Sequence, residues 1–318
     1  MRTDPDDAAL RPMNDRAGAG VMPGIVALPG LTGTDRLLAA FVAALEPHFK
    51  AAALSYPSDR ALDYTQLEHL VRAALPRDGP FIVVGESFSG PIALSLALDR
   101  PPGLCAVVLA ASFARFPWPP HMAAMLTPWI QFTPLGTVPK GLLDWLLLGR
   151  WSNAGHRTAL GQALSEVPAP VLRFRAMQAL RADLSARLKE ITMPLLYLRA
   201  SHDRLLPASA GRQILSAIPT AALHEIEGPH FLLQAKAEDC AQAVAEFARR
   251  IGAAGGHGQP ALAGRDAPVP RQFLGFLERD ISNHPERLQA VDADFVKRLR
   301  ALVGHVETDL DAALPSDE

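Results

Sequence analysis

Short apolar runs alternate with amphipathic segments between residues 22 and 251 of the chain. Short runs that are rich in Val, Ile, Leu and Ala are typical of buried strands, and here they read GIVALPG, KAAALSYP, FIVV, LCAVVLAAS, MPLLYLRA and AALHEIEG. The intervening segments have helical spacing and read TDRLLAAFVAAL, YTQLEHLVRAAL, PIALSLALDR, ASAGRQILSAI and FLLQAKAEDCAQAVAEFARRI. Alternating strands and helices predict an α/β fold, with a mostly parallel sheet covered on both faces.

The pattern also divides the chain into segments. Residues 1–21 are a polar leader, and residues 22–251 form the predicted α/β domain. Within it, about residues 116–190 are rich in Pro and Trp and predict an insertion of short helices that covers the sheet edge as a cap. Residues 252–270 have the Gly, Ala and Pro content of a flexible linker. Residues 271–318 form a separate helical segment with an acidic end.

One strand runs straight into a helix through the sequence FIVVGESFSGPIAL, residues 81–94. A turn this sharp needs small residues around its tip, and the tip residue then projects away from both elements. The pattern matches the nucleophile elbow G-x-S-x-G with Ser87 at the tip, except that Ser89 stands at the last glycine position and Gly90 follows. The alternative interpretation is an ordinary glycine-rich turn between strand and helix.

Two further residues could activate the Ser87 hydroxyl. A serine nucleophile needs a base within hydrogen-bond reach and a third group that orients this base. Active groups gather at the carboxyl ends of parallel strands, where Asp203 and His230 follow two of the predicted strands. We therefore predict the catalytic residues Ser87, Asp203 and His230. Asp183 is an alternative acid, but its position predicts a helix N-cap.

Attack on a carbonyl group creates an oxyanion that two prepared donors must stabilise. One donor should be the backbone N–H of Phe88, directly after the nucleophile. The loop after the first strand should supply the other, because Gly30 lets the backbone approach closely there. We predict that the backbone N–H of Leu31 is this second donor.

Composition and charge narrow the function classes. The net charge of −2 argues against a dedicated nucleic-acid surface. Cys105 and Cys240 are predicted as free thiols without metal-ligand spacing, and no metal is expected. The polar N-terminus shows no secretory signal, so a cytoplasmic location is the default expectation. The longest apolar patch, GLLDWLLLG, is too short to span a bilayer.

The motifs LPGLTGTD, GESFSG, SHDRLLP and EGPHFLLQ together resemble the α/β-hydrolase superfamily across about residues 22–251. Within it the chain is similar to small carboxylesterases. The resemblance implies ester hydrolysis through an acyl-enzyme without a cofactor, although thioesterases, lactonases, C–C hydrolases and cofactor-free haloperoxidases share the fold. Pro29-Gly30 replaces the His-Gly of many relatives. A serine at the elbow argues against dehalogenases, which use aspartate there.

The cap should close an apolar pocket for the acyl group of a small-molecule ester. Trp118 begins the cap, and Phe113, Leu205 and Phe231 follow the ends of predicted strands. We expect these side chains to line the pocket.

The C-terminal segment 271–318 has two interpretations. FLGFLERDI and FVKRLRALV are amphipathic helices interrupted at Asn283-His284-Pro285, and they could form an appendage packed on the hydrolase. The stretches FLGFLERDISNHPERLQ and LVGHVETDLDAALPSDE instead resemble the C-terminal half of PrlF antitoxins, which neutralise a ribonuclease toxin. That family's DNA-binding half has no counterpart here, so the resemblance implies a toxin partner and no nucleic acid.

Overall fold

A single parallel sheet forms the centre of the protein. The computed structural model describes residues 22–118 and 139–255. The strands are β1 (Gly24–Leu28), β2 (Ala51–Ala53), β3 (Phe81–Glu86), β4 (Leu104–Ala110), β5 (Leu195–Ala200) and β6 (Ala221–Ile226). They lie in the order β2-β1-β3-β4-β5-β6, and all of these pairings are parallel. The parallel sheet predicted from the alternating pattern is confirmed.

Helices connect the strands and build the insertion. The α-helices are α1 (Ala39–Leu45), α2 (Tyr64–Ala74), α3 (Gly90–Asp99), α4 (Lys140–Leu147), α5 (Ala154–Ser165), α6 (Ala169–Arg181), α7 (Ala208–Ala217), α8 (Leu232–Ala235) and α9 (Ala237–Gly255). Short 3-10 helices span Asp35–Leu38, Ser87–Ser89, Gly149–Trp151 and Ser185–Glu190.

The sheet separates two hydrophobic cores. Successive strand residues point to opposite faces, so Val83 belongs to one core and its neighbours Ile82 and Val84 to the other. Helices α2, α3 and α7 supply the first core, whereas α1 and α9 supply the second through residues such as Phe41 and Val244. Helices therefore cover both faces of the sheet. The carboxyl ends of the strands lie at its edge, where functional residues can gather.

The insertion predicted for residues 116–190 leaves the sheet after β4 and returns before β5. Helices α4, α5 and α6 lie in its described part, whereas residues 119–138, including Trp129, lie outside the described residues. An antiparallel bridge between Arg115 and Asp183 joins the two ends of the insertion at its base.

Two elements differ in extent from their predictions. The predicted strand KAAALSYP is reduced to β2, because the chain beyond Leu54 leaves the sheet for the loop after β1, where the Tyr56 N–H donates to the Gly33 carbonyl at 2.8 Å. The predicted final helix is interrupted at Lys236, whose φ of −136° and ψ of 44° are not helical. The break separates α8, which packs beneath the site, from α9, which runs along α1.

Several predictions fall on segments outside the described residues. The leader 1–21 and the tail 271–318 are among them, and so is most of the predicted linker 252–270, whose first residues belong to α9. Contacts divide the chain into units 1–258 and 259–318, and every described residue belongs to the first. In the described part, no helix is long and apolar enough to cross a membrane, and both cysteines are free.

Candidate active site

Ser87 lies at the tip of a strained turn between β3 and α3. Its φ of 44° places it in the left-handed region, which costs a residue with a side chain about 1–2 kcal/mol. Strain of this kind persists where surrounding contacts hold the backbone, and it is concentrated at functional sites. The predicted elbow is therefore present in the backbone.

The elbow needs glycine at Gly85, which is the first glycine of the usual motif, and at Gly90, which lies one residue beyond the motif's last position. A Cβ on Gly85 would lie 2.8 Å from the Cβ of Ala93, and one on Gly90 would lie 1.8 Å from Ser112 Oγ. Ser89 is free to carry a side chain, and its hydroxyl donates to the carbonyl of Pro29 at 2.5 Å. The departure from G-x-S-x-G thus places a hydrogen bond between the elbow and the loop after β1.

Further hydrogen bonds fix the elbow from both sides. Ser112 Oγ donates to the carbonyl of Ser87 at 2.6 Å, and Tyr197 donates to the carbonyl of Ser112 at 2.7 Å. On the other side, Tyr64 donates to the carbonyl of Phe88 at 2.8 Å and stacks on its ring at 4.8 Å. The Phe88 side chain is accordingly part of the core, and only its backbone N–H is available to the site.

The three predicted catalytic side chains meet at the edge of the sheet. Ser87 Oγ lies 2.9 Å from His230 Nε2, and His230 Nδ1 lies 2.8 Å from Asp203 Oδ2. The other oxygen of Asp203 accepts from the backbone N–H groups of Leu205 at 2.8 Å and Leu206 at 2.7 Å. A carboxylate can only accept, so Nδ1 of the imidazole is the donor and Nε2 is free to accept from the serine hydroxyl.

Burial and charge act in opposite directions on His230. The His230 and Asp203 side chains are only 3% and 7% exposed. Burial lowers the pKa of His230, but the charge and hydrogen bond of Asp203, together with the charge of Glu86, raise it more, so the net pKa lies above 6.5. The imidazole is therefore held ready to accept a proton.

Asp183, the alternative acid, accepts hydrogen bonds at the start of a short helix and is not the partner of His230. Its Oδ1 accepts from the backbone N–H of Ser185 at 2.9 Å, but the N-cap of the helix Ser185–Glu190 is Leu184, so the N-cap predicted at Asp183 is wrong by one residue. Although burial raises the pKa of Asp183, the hydrogen bonds of Ser185 and the charge of Arg115 lower it overall. The structure brings Asp203, and not Asp183, to His230.

Glu86 is a site residue that the sequence analysis missed. It immediately precedes Ser87 and is 5% exposed. One carboxyl oxygen accepts from the Gly30 backbone N–H at 3.0 Å, and the other accepts from Gln234 Nε2 at 2.8 Å. Burial raises its pKa, and these contacts oppose the shift. An ionisable residue at the end of an otherwise apolar strand was the available signal.

The loop after β1 contains the second predicted oxyanion donor. Gly33 N–H donates to the Gly30 carbonyl at 3.0 Å, which closes a tight turn, and Gly33 has a φ of 72° that favours glycine. Within residues 22–118 and 139–255, the N–H of Leu31 has no hydrogen-bond acceptor. A free N–H at this position is what an oxyanion donor requires.

The predicted pocket residues occupy different environments. Phe113 is 2% exposed and meets Phe116 edge-on at 5.2 Å, and Phe116 meets the half-buried Trp118 in the same way at 5.2 Å. Leu205 is half-buried directly beside Asp203, and Phe231 follows His230 and donates its N–H to the Leu147 carbonyl of the insertion at 2.9 Å. The assignment of these four residues to a substrate pocket stays a prediction.

The line of hydroxyl, imidazole and carboxylate can move a proton from Ser87 to His230 while Asp203 stabilises the resulting imidazolium. Among the described residues, no group of three or more His, Cys, Asp or Glu side chains could hold a metal ion. The site thus has the groups for covalent acyl transfer by an activated serine.

A parallel sheet with a serine elbow, a histidine and an acid at its carboxyl edge defines an α/β-hydrolase. The family described as "Serine aminopeptidase, S33" matches residues 57–230, more than half of the chain. The chain therefore belongs to this family of α/β-hydrolases. A second family, described as "prlF antitoxin for toxin YhaV_toxin", matches residues 259–317, and this confirms the resemblance seen in the tail.

Individual relatives are hydrolases by name. RutD of Klebsiella pneumoniae, which carries the name carbamate hydrolase, is 30% identical over 46% of this chain and 57% of its own length, so the match spans little more than half of that protein. A pimeloyl-[acyl-carrier protein] methyl ester esterase of Xanthomonas oryzae is 26% identical over 72% of this chain and 96% of its own. Among solved structures, an esterase from Exiguobacterium antarcticum superposes with a TM-score of 0.64 at 14% identity, covering 71% of this chain and 92% of its own.

Proposed function

We propose that the protein is a serine hydrolase that cleaves a carboxylic ester or thioester through an acyl-enzyme. The observation that carries the proposal is the unbroken hydrogen-bonded line from Ser87 Oγ through His230 to Asp203. Hydrolase and esterase relatives support it. Ser87 is assigned as nucleophile, His230 as general base and acid, and Asp203 as the acid that orients His230.

The proposed reaction proceeds in two halves. Ser87 Oγ attacks the carbonyl carbon as its proton passes to His230 Nε2, and the N–H groups of Leu31 and Phe88 stabilise the negative oxygen. His230 then returns the proton to the leaving alcohol or thiol, which departs as the bond to the carbonyl carbon breaks. In the second half, His230 takes a proton from water, which attacks the acyl-enzyme, and Ser87 regains its proton as the free acid leaves.

The residues predicted to line the pocket favour an apolar acyl group. Phe113, Trp118, Leu205 and Phe231 follow strand ends or begin the insertion, and the first two belong to a continuous series of aromatic rings. Apolar walls with a few polar groups at the reacting centre are the usual composition of a small-molecule site. We propose that a small-molecule ester with an apolar acyl chain is the substrate.

A fluorophosphonate probe tests whether Ser87 is the activated nucleophile. The wild-type chain should be labelled covalently at Ser87, because His230 removes the hydroxyl proton during attack on phosphorus. Ser87→Ala should abolish labelling, measured by intact-mass spectrometry. Ser216→Ala is the matched control, since Ser216 is exposed on α7 and donates only to the carbonyl of Gln213 within the described part. Undiminished labelling of Ser87→Ala would refute the assignment.

The antitoxin match supports a second function for the tail. Residues 259–317 match a family named for an antitoxin that acts on the YhaV toxin. We propose that residues 271–318 bind a ribonuclease toxin of that class, with the hydrolase as carrier. This binding function and ester hydrolysis are compatible, because they use different residues.

Partner binding and hydrolysis can be measured separately. The full chain should bind a purified YhaV-type toxin in a calorimetric titration, and Ser87→Ala should bind it equally well. A chain that ends at Gly258, the boundary between the two units, should lose binding and keep ester turnover. No binding by the full chain, or equal binding by the shortened chain, would contradict the proposal.

A further inference from the structure

Arg175 is a buried cation that the insertion contributes to the loop after β1. It lies on α6 and has an exposed fraction of 0%. Nη1 donates to the carbonyl of Thr32 at 2.7 Å and to that of Leu31 at 3.2 Å. Nη2 donates to the carbonyl of Pro57 at 2.8 Å. One side chain of the insertion therefore binds two consecutive carbonyls of the loop that carries the predicted oxyanion donor.

The charge of Arg175 is incompletely compensated. No carboxylate in residues 22–118 or 139–255 forms an ion pair with it, and its Nε has no hydrogen-bond partner there. Its partners are the three carbonyls and the ring of Tyr56, whose centroid lies 5.7 Å from the guanidinium carbon. A buried cation is costly unless its surroundings stabilise it, and burial lowers its pKa accordingly. Methionine would fill a similar volume without this cost.

The contacts of Arg175 fix the geometry of the turn. The Leu31 N–H and the Gly30 carbonyl belong to one planar peptide and point in opposite directions. That carbonyl accepts from Gly33 inside the turn, so the Leu31 N–H points away from the turn interior. Gly33 is packed against Arg175 so closely that a Cβ there would lie 2.4 Å from Nη1. Moving the guanidinium would therefore release the turn that orients this peptide.

Other contacts to the same loop come from the elbow itself. Ser89 binds the Pro29 carbonyl, and Glu86 binds the Gly30 N–H. These contacts fix the start of the loop, before the peptide that carries the donor. Arg175 fixes its end, and among the described residues it is the side chain of the insertion that hydrogen-bonds to Leu31 and Thr32.

We infer that Arg175 is a positioning residue of the oxyanion hole, through which the insertion holds the Leu31 N–H in place and adds positive potential near the developing charge. This inference rests on the proposed esterase function. It makes the insertion part of the machinery that stabilises the transition state, in addition to a cover for the substrate. If Arg175 served only to attach the insertion to the sheet, its loss would affect stability and substrate affinity. The rate of the chemical step would then stay unchanged.

Arg175→Met and Arg175→Lys test this inference with p-nitrophenyl butyrate as substrate. Loss of a single oxyanion donor lowers kcat by about 10²–10³-fold, so Arg175→Met should lower kcat by about 10²-fold. KM should stay within about threefold, because the interaction strengthens only in the transition state. Inhibition by phenylboronic acid, which forms a tetrahedral adduct with Ser87, should weaken in parallel with kcat. Arg175→Lys keeps the charge but not the planar fork, and it should recover part of the lost rate.

Controls separate positioning from stability. Arg181→Met is the matched variant, since Arg181 lies on the same helix and is exposed, and it should keep wild-type kcat and inhibition. Hydrogen exchange at the amides of residues 30–33 should accelerate in Arg175→Met, whereas exchange in β3 should not change. If the methionine variant does not fold, Arg175→Lys carries both measurements.

The outcomes distinguish failure of the positioning role of Arg175 from failure of the proposed esterase function. A normal kcat in folded Arg175→Met, or a raised KM with unchanged kcat, would overturn the positioning role while leaving the esterase intact. Unchanged exchange of residues 30–33 would overturn it as well. A wild-type chain that hydrolyses no ester and takes no fluorophosphonate would overturn the proposed function, whereas the exchange comparison would still show whether Arg175 holds the loop.

Discussion

His230→Ala is expected to lower kcat for an ester substrate by about 10³-fold or more. Its Nε2 lies 2.9 Å from Ser87 Oγ, and no other base is within hydrogen-bond reach of that hydroxyl among the described residues. Without the imidazole, Ser87 has no acceptor for its proton during attack, and the leaving group has no donor. Steady-state hydrolysis of p-nitrophenyl butyrate measures the loss.

The triad should also behave as one unit. Removal of one member disables the step that the others serve, so Ser87→Ala combined with His230→Ala should be hardly slower than either single variant. His202→Ala is a suitable control, because His202 is exposed beside Asp203 and contacts Ser201 and Trp151 instead of the nucleophile. A His230→Ala variant that keeps more than about a tenth of the wild-type kcat would contradict the assignment.

The sequence was sufficient to predict the sheet and the convergence of Ser87, Asp203 and His230, and the reason is topological. Parallel strands bring their carboxyl ends to one edge, so residues that directly follow strands must converge there. Ser87, Asp203 and His230 each follow a strand closely, and their identities satisfy the chemistry of acyl transfer. Local strand signals and the chain order of the residues were therefore enough to predict a juxtaposition that spans 143 residues between Ser87 and His230.

Residues that support the site from a distance could not be predicted in this way. Arg175 contacts Leu31 across 144 residues, and Glu86 contacts Gln234 across 148. Neither pair follows from strand order, because Arg175 lies within the insertion and the direction of Glu86 depends on packing of the elbow. An arginine in an amphipathic helix usually indicates a solvent-exposed face, and only the fold shows that this one is buried.

The departure from the elbow motif at Ser89 creates a contact between the elbow and the loop after β1. Ser89 weakened the match to G-x-S-x-G, but its hydroxyl accepts from Tyr56 and donates to Pro29. Glycine is needed instead at position 90, because a side chain on Gly90 would collide with Ser112. The elbow and the predicted oxyanion loop are thus joined at Pro29 by a group that a glycine could not provide.

Asp203→Asn should lower kcat/KM by about 10³–10⁴-fold, for a reason set by the hydrogen bonds of this site. One oxygen of Asp203 accepts from two backbone N–H groups, of Leu205 and Leu206. The asparagine carbonyl must take that position, because the amide N–H₂ cannot accept. The N–H₂ group then faces His230 Nδ1 and forces the ring proton onto Nε2, so His230 can no longer accept from Ser87.

The residual activity of Asp203→Asn should also have a different pH dependence. In the wild type, His230 must be neutral to act as base, so kcat/KM should rise with pH through a pKa above 6.5. Burial lowers the pKa of His230, whereas Asp203 and the charge of Glu86 raise it. Without the Asp203 carboxylate, mainly the charge of Glu86 opposes the effect of burial, so the pKa of His230 falls. The acid limb of the profile should therefore move to lower pH while the maximal rate falls.

Glu238→Gln, an exposed change on α9, should leave both the acid limb and the maximal rate unchanged. A limb that stays in place or moves to higher pH in Asp203→Asn would show that Asp203 does not control the protonation of His230.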